Sequence, residues 1–480
     1  MQTTYRITSG LMVMLLLWSA PTPAASKQPS VIEQANILHQ IRREKFDNVL
    51  PGAMRDNDID MWIHVIRDGN PDPMQLHFGP VSGYIVFTDR GSGRIERAIF
   101  GNGGHPELFD IFGSDQIRRA IEGYGFVDQD PRIYDEFAKF VAERNPKRIA
   151  LNFSAWLAVA DGLSYSQYVK LESIIGKKYS DRFVSAEQLI TDFRARRTPS
   201  EISEFGKALE MHRQLLIRAL SREVINPGKT TLRDVGQWIV EEQQRQGIGY
   251  GVDSYVPLPR ILFSAASTTD AAPDVRWIIH DEDYVIQRGD FMTYDISVRH
   301  LDYFTTDFKR NAYVFREGET TIPESIQKAF DRAIDAHLIM RPHIVAGRTA
   351  KQTLDALVVA LENENYIYTP FIDIGTKDYE LIQKALLGKN NSGFSIDLHA
   401  MGNNGRSLVT VGASVAPFRT DRFDQVLQHN HFFSFEYMVH TNLPERPGFP
   451  ISINIEGNHL ITNDGVKYLH PRNEKILEIH

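Results

Sequence analysis

Residues 294–308 read YDISVRHLDYFTTDF, and they place Asp295 and Asp307 in otherwise strand-like chain with a turn-sized interval between them. In the overlapping run FMTYDISV (291–298), Met292, Tyr294, Ile296 and Val298 fall on one face of a pleated strand, and Thr293, Asp295 and Ser297 on the other. A turn around RHLD (299–302) brings the chain back, so Asp307 returns toward Asp295 across a hairpin. Two carboxylates on one sheet face are either solvated surface or the beginning of a buried charged site. The rest of the chain has to discriminate.

The same device recurs twice. ISINIEG (451–457) sets Ile451, Ile453 and Ile455 against Ser452, Asn454 and Glu456, and FFSFEYMV (432–439) sets Glu436 opposite Phe433, Phe435 and Tyr437. His399, in SIDLHAMGNNG (395–405), follows an alternating run and precedes a glycine-rich turn. Four carboxylates buried together repel one another and are costly to desolvate unless cations compensate them. With one imidazole they make a donor set for a pair of divalent ions, and its oxygen content favours a hard ion such as manganese. Two such ions about 3.5–4 Å apart would lower the pKa of a shared water.

The bulk numbers suit a large enzyme. The chain has 480 residues, 42% hydrophobic and 24% charged, which is ordinary globular composition of two or three domains. Its net charge of -8, without a long basic run, argues against nucleic acid as a partner. Near the start, Arg6 precedes LMVMLLLW (11–18) and SAPTPAAS (19–26), a pattern that predicts a signal peptide over 1–25, cleaved near Ala24 or Ala25. The apolar run is far shorter than the roughly 20 residues that span a bilayer, so no stable membrane anchor is expected. The chain is expected to be periplasmic or secreted, and its lack of cysteine excludes disulfides and thiolate chemistry.

From 26 to 197, strand-like runs such as SGYIVFTD (82–89) alternate with helical ones such as DEFAKFVAER (135–144), the cadence of an α/β domain. A second domain is expected from 198 to 480. In RRTPSEISEFGKALEMHRQLLIRALS (196–221), Thr198 caps a long helix, Pro199 suits its first position and Glu201 completes a capping box. A faint repeat follows: INPGKTTLRDVGQWIVEE (225–242) and IVAGRTAKQTLDALVVALE (344–362) each carry a Gly-basic-Thr turn into a helix. Two helix pairs, each followed by strands, suggest a pseudo-symmetric α+β domain.

The order Asp, Asp, His, Glu, Glu over the last two hundred residues resembles the pita-bread metallopeptidase superfamily, which includes Xaa-Pro aminopeptidases, prolidases and creatinases. The resemblance rests on RGDFMTYDISVRHLDYFTTDFKRNAYVF (288–315), HAMG (399–402), FSFEYMV (433–439) and INIEGNHLITNDGVKYL (453–469), with a creatinase-like domain ahead of them. It implies an α/β N-terminal creatinase-like domain followed by a pseudo-symmetric pita-bread domain. It also implies that Asp295 chelates one metal, His399 the other, Asp307 and Glu456 bridge, and Glu436 binds metal while moving a proton. The implied cofactor is two divalent ions, manganese first, with zinc or cobalt as alternatives. His280, in WIIHDEDYVIQRGD (277–290), corresponds to a substrate-facing histidine of the family.

The implied activity is hydrolysis of the bond before proline in a peptide with proline in second position, by an aminopeptidase or dipeptidase that forms a homodimer. Three departures stand out. Asp295 and Asp307 are twelve positions apart where eleven is usual; Arg406 stands where a second, substrate-contacting histidine is usual; and Asn454 stands where Xaa-Pro enzymes often have arginine. Two alternatives therefore remain, a hydrolase of another amide or ester on the same metal centre and a non-catalytic pita-bread binding protein.

Overall fold

The computed structural model describes residues 28–480 apart from 71, 92, 123–129, 251–255, 265–280, 371–375 and 403–411. The leader sequence, His280 and Arg406 lie outside the described residues. Among those described, no helix is long and apolar enough to cross a membrane.

The first half is built on a six-stranded sheet in the order Ile111–Phe112, Ile95–Gly103, Val81–Asp89, Met61–Ile66, Ile149–Leu151, Phe183–Ser185. Met61–Ile66 runs antiparallel to Val81–Asp89 and parallel to Ile149–Leu151. Strand alternation divides the apolar side chains between two cores. Trp62, Ile85 and Phe87 pack with Phe46, Leu50 and Phe193 on one face, and Ile63, Tyr84 and Val86 with Phe137, Phe140 and Leu171 on the other. Helices cover both faces, so this is an α/β layer structure.

The long helix runs Pro199–Ala219. Its capping box is formed: the Glu201 amide donates to Thr198 Oγ1 at 3.3 Å and the Thr198 amide to Glu201 Oε2 at 2.9 Å. Phe205, Leu209 and Leu216 are buried along it, and Ile202 is half-buried. The two turns of the repeat both open with a left-handed glycine, Gly228 at φ 79° and Gly347 at φ 91°, and lead into helices Leu232–Arg245 and Ala350–Asn363. The caps are offset by one residue, Thr231 in the first copy and Thr349 in the second. Each cap makes an isolated bridge, to Val285 and to Val426 respectively.

The strands pack against the inner faces of these helices. Met292, Tyr294, Ile296, Val298 and Phe308 pack against Phe205, Leu209, Val235 and Ile239. Tyr437, Val439, Ile451 and Ile453 pack against Ala329, Phe330, Leu354 and Leu357. One four-stranded sheet is ordered Leu477–Ile479, Phe308–Val314, Phe291–Ile296, Arg260–Phe263, and a second is ordered Ile367–Tyr368, Gly393–Ile396, Tyr437–Thr441, Ile451–Ile455. A five-stranded sheet contains Leu398–Ala400, His431–Ser434 and Asn458–Thr462. Helices take up the apolar faces, which leaves the polar faces to meet one another inside.

One buried polar contact in the second sheet has a measurable consequence. His440 sits between Ser395 Oγ at 2.9 Å and Ser452 Oγ at 2.8 Å, and burial pushes its pKa down to about 3. A histidine kept neutral this way contributes stability above its unfolded pKa of about 6.5 and loses it as pH falls below that value. The stability advantage of wild type over His440→Gln is therefore expected to shrink by about 2 kcal/mol between pH 7 and pH 5, from about 1.4 kcal/mol per pKa unit. Urea unfolding of both proteins at the two pH values checks it; an unchanged difference means the ring takes up its proton without cost.

Candidate metal centre

The hairpin that carries the two aspartates keeps one register throughout. Asp295 lies opposite Lys309, and beyond Ser297 the strands continue with Arg299 opposite Thr305 and His300 opposite Phe304. The turn takes residues 301–303, with Leu301 and Asp302 both left-handed at φ 57° and 52° and the Tyr303 amide donating to His300 O at 3.1 Å, the backbone of a type I′ turn. A twelve-residue spacing therefore leaves Asp307 diagonally across from Asp295 on the same face. The tip is anchored too: the Tyr303 hydroxyl donates to Glu201 Oε1 at 3.0 Å and lies 2.9 Å from His77 Nδ1. These contacts join the hairpin tip to the helix start and to the first domain.

Asn458 fixes the backbone of Asp307 from the neighbouring sheet, accepting from its amide at 2.8 Å and donating to its carbonyl at 2.5 Å. Glu436 lies between His431–Ser434 and Tyr437–Thr441, and Glu456 between Ile451–Ile455 and Asn458–Thr462. His399 is in Leu398–Ala400. The five residues singled out from sequence, Asp295, Asp307, His399, Glu436 and Glu456, are thereby brought to one cluster. It is not a solvated sheet face: the side chains of Glu456 and His399 are 1% and 8% exposed.

His399 faces the cluster through Nε2, with Asp307 Oδ2 at 3.8 Å, Glu436 Oε2 at 3.7 Å and Glu456 Oε1 at 3.9 Å. Its Nδ1 is 3.3 Å from Ala400 O, which suits a proton there and a lone pair on Nε2. Ligand bonds of about 2.0–2.2 Å put two ligands of one ion about 3–4 Å apart, and one ligand atom each from Asp307, His399 and Glu456 lie within 4.8 Å of one another. This trio fits a single divalent ion. Glu456 Oε1 also accepts from Ser434 Oγ at 2.6 Å, and Asn454 Nδ2 donates to Glu436 Oε1 at 3.2 Å. The asparagine that stands in an arginine's place thus orients Glu436.

A sixth residue was not anticipated. Lys309 is buried in the cluster, its Nζ 3.3 Å from Asp295 Oδ2, 2.7 Å from Glu456 Oε2 and in contact with Glu436 Oε1. The sequence did hold a clue, because Lys309 is two residues past Asp307 and so shares its face of the strand. Burial alone would lower the lysine's pKa, but Asp295, Glu436, Glu456 and Asp307 outweigh it and raise it well above the ordinary value. Burial would raise Glu436, yet Lys309 and His399 hold it well below the carboxylate range. Glu456 is pushed up to about 7 by burial and by Glu436. Burial, Glu456 and Asp295 raise Asp307. His399, lowered by burial, is raised overall by Glu436 and Asp397. One carboxylate stays ionised beside the ammonium while its neighbours hold protons more readily, the kind of separation that marks functional sites.

Known proteins share the fold that carries this cluster. No curated protein matches the chain by sequence. Among solved structures, the X-Pro aminopeptidase from Thermotoga maritima aligns at a TM-score of 0.54 with 15% identity, over 89% of this chain and 99% of that one. The Xaa-Pro dipeptidase from Bacillus anthracis aligns at 0.53 with 17% identity, over 92% of this chain and 100% of that one. A dipeptidase from Pyrococcus horikoshii aligns at 0.51 with 13% identity, over 92% of this chain and 100% of its own. At these identities the likeness is one of fold, the two-domain creatinase-like and pita-bread architecture. Residues 203–463 match metallopeptidase family M24, and the chain belongs to that family.

Proposed function

We propose that this member of the family is an exported peptidase that depends on a divalent ion and hydrolyses the bond before proline, in dipeptides or at peptide N-termini. The observation that carries the reading is the convergence of Asp307, Glu436 and Glu456 from three strand junctions, and of His399 from the strand Leu398–Ala400, into one largely buried cluster. The names of the similar structures, an X-Pro aminopeptidase and an Xaa-Pro dipeptidase, supply the proline preference. Asp307, His399 and Glu456 would hold the ion, manganese by the oxygen-rich donor set, which supplies a polarised carbonyl and an acidified water.

The chain's own residues do the rest. Glu436 is positioned by Asn454 and Lys309 with its second oxygen toward His399, so it is placed to accept a proton at Oε2 and pass it to the leaving proline nitrogen. An amide nitrogen leaves as a neutral amine only after gaining one proton, so that proton has to be delivered to the proline nitrogen. His280 and Arg406 are the proposed substrate contacts, and a homodimer, with one subunit's first domain narrowing the other's mouth, is the proposed assembly. Incubation of the manganese-loaded protein with matched Xaa-Pro and Xaa-Ala peptides tests the reading. Release of the first residue ahead of proline, and little ahead of alanine, is expected; no cleavage of any Xaa-Pro peptide with manganese, zinc or cobalt would end it.

A further inference from the structure

A centre for two divalent ions needs two gathering points for carboxylate oxygens, and in this cluster one of them is filled by the chain itself. The trio Asp307, His399 and Glu456 converges on one point. The other point, among Asp295 Oδ2, Glu436 Oε1 and Glu456 Oε2, holds the Nζ of Lys309, which touches all three oxygens. Its stem is fixed as firmly as its head. The strand pairs Lys309 with Asp295, the Lys309 amide donates to Glu456 O at 3.4 Å, and the side chain is 3% exposed. An ion among the same three oxygens would sit about 2.0–2.2 Å from each, in the space the ammonium takes.

We propose that Lys309 replaces one of the two cations of a dinuclear centre, so that this centre holds at most one divalent ion, on Asp307, His399 and Glu456. The ammonium does part of what the missing ion would do. It neutralises the buried Glu456 and the partly exposed Glu436 and Asp295, and it orients Glu436. It lacks the empty orbitals with which a metal ion binds and acidifies a water. The chemistry left to the centre is that of a single Lewis acid with a fixed positive charge beside it, which narrows the substrate to an amide or ester whose carbonyl needs one ion to polarise it. This inference rests on the metal-centre reading of the cluster given above.

The test is the number of Mn2+ ions bound at the centre, with no assay of activity. Wild type, Glu456→Gln and Lys309→Ala are stripped with chelator, dialysed against Mn2+ and counted by elemental analysis. Subtracting the count for Glu456→Gln removes ions held elsewhere, for example by the surface group His39, His105 and Glu107. No more than one ion per chain is expected for wild type and one ion more for Lys309→Ala. A wild-type count of two, or no gain in the variant, overturns the proposal. Electron paramagnetic resonance on wild type alone keeps the question open to refutation even if Lys309→Ala fails to fold: the spectrum of isolated Mn2+ is expected, and the exchange-coupled signal of a manganese pair contradicts it. A protein with one ion that cleaves no peptide counts against the peptidase reading and leaves the lysine's role standing, whereas an active enzyme with two ions does the reverse.

Discussion

Replacing Lys309 with methionine is expected to destabilise the metal-free protein by roughly 3–5 kcal/mol, the cost of leaving buried charges without their partner. The two side chains are similar in bulk, so packing changes little and the loss reports the charge. Lys309 is in contact with Asp295, Glu436 and Glu456 at once, and Asp307 adds to the same negative field. Without the ammonium Asp307, Glu436 and Glu456 can relax only by binding protons, which raises their pKa values above those of the unfolded chain. A carboxylate raised in the folded state costs stability above its unfolded pKa of about 4 and costs nothing once pH falls below it. The deficit of Lys309→Met should therefore be full at pH 7.5 and mostly gone near pH 4, and added Mn2+ should repair part of it. Urea unfolding at both pH values, with chelator and with Mn2+, measures this. A deficit below about 1 kcal/mol at pH 7.5, the level of an exposed ion pair, would mean that the lysine is solvated and peripheral.

The other large effect belongs to Asp307. Asp307→Asn keeps the shape of the side chain and its backbone ties to Asn458, but removes a negative charge from the trio that fits an ion. Loss of metal-assisted stabilisation worth several kcal/mol corresponds to a rate at least about a thousandfold lower, at 1.36 kcal/mol per factor of ten. Melting should change with it. At a hundredfold excess of Mn2+ over its Kd, wild type gains about 2.7 kcal/mol, and Asp307→Asn should gain almost nothing. Without metal the variant should be no less stable than wild type, because one of several crowded carboxylates has gone. Asp302→Asn is the control, since Asp302 is 79% exposed at the turn and 3.1 Å from Arg299. It should alter neither metal response nor rate. If Asp302→Asn lost the metal response and Asp307→Asn kept it, the assignment of ligands along this hairpin would be wrong.

Much of this site is legible in the sequence because strands write their faces in alternate residues. Met292, Tyr294, Ile296 and Val298 do share one core, and Ile451, Ile453 and Ile455 another, which is why Asp295 and Glu456 turn the other way. The helix start at Thr198 is equally local, since a capping box needs only four consecutive residues. Lys309 was harder to read for a physical reason. A lysine on a strand is ordinarily a solvated residue that guards an edge, and only the convergence of Glu436 and Glu456 from distant hairpins makes this one a buried counterion. The seats of His440 and Tyr303 are likewise invisible locally, as their partners Ser395, Ser452, Glu201 and His77 come from elsewhere in the chain. The repeat is legible as two helix-turn-helix halves, but its capping threonines are offset by one position, because the first turn carries one residue more, Thr230, between its glycine and its cap.

The proposed peptidase depends on an ion held by Asp307, His399 and Glu456. Its most direct test is hydrolysis of an Xaa-Pro dipeptide by wild type and His399→Ala, each assayed with Mn2+ and again after chelation. Cleavage by manganese-loaded wild type, abolished by chelation and absent from His399→Ala under both conditions, is the predicted result. Equal cleavage before and after chelation, or full activity in His399→Ala, would contradict it.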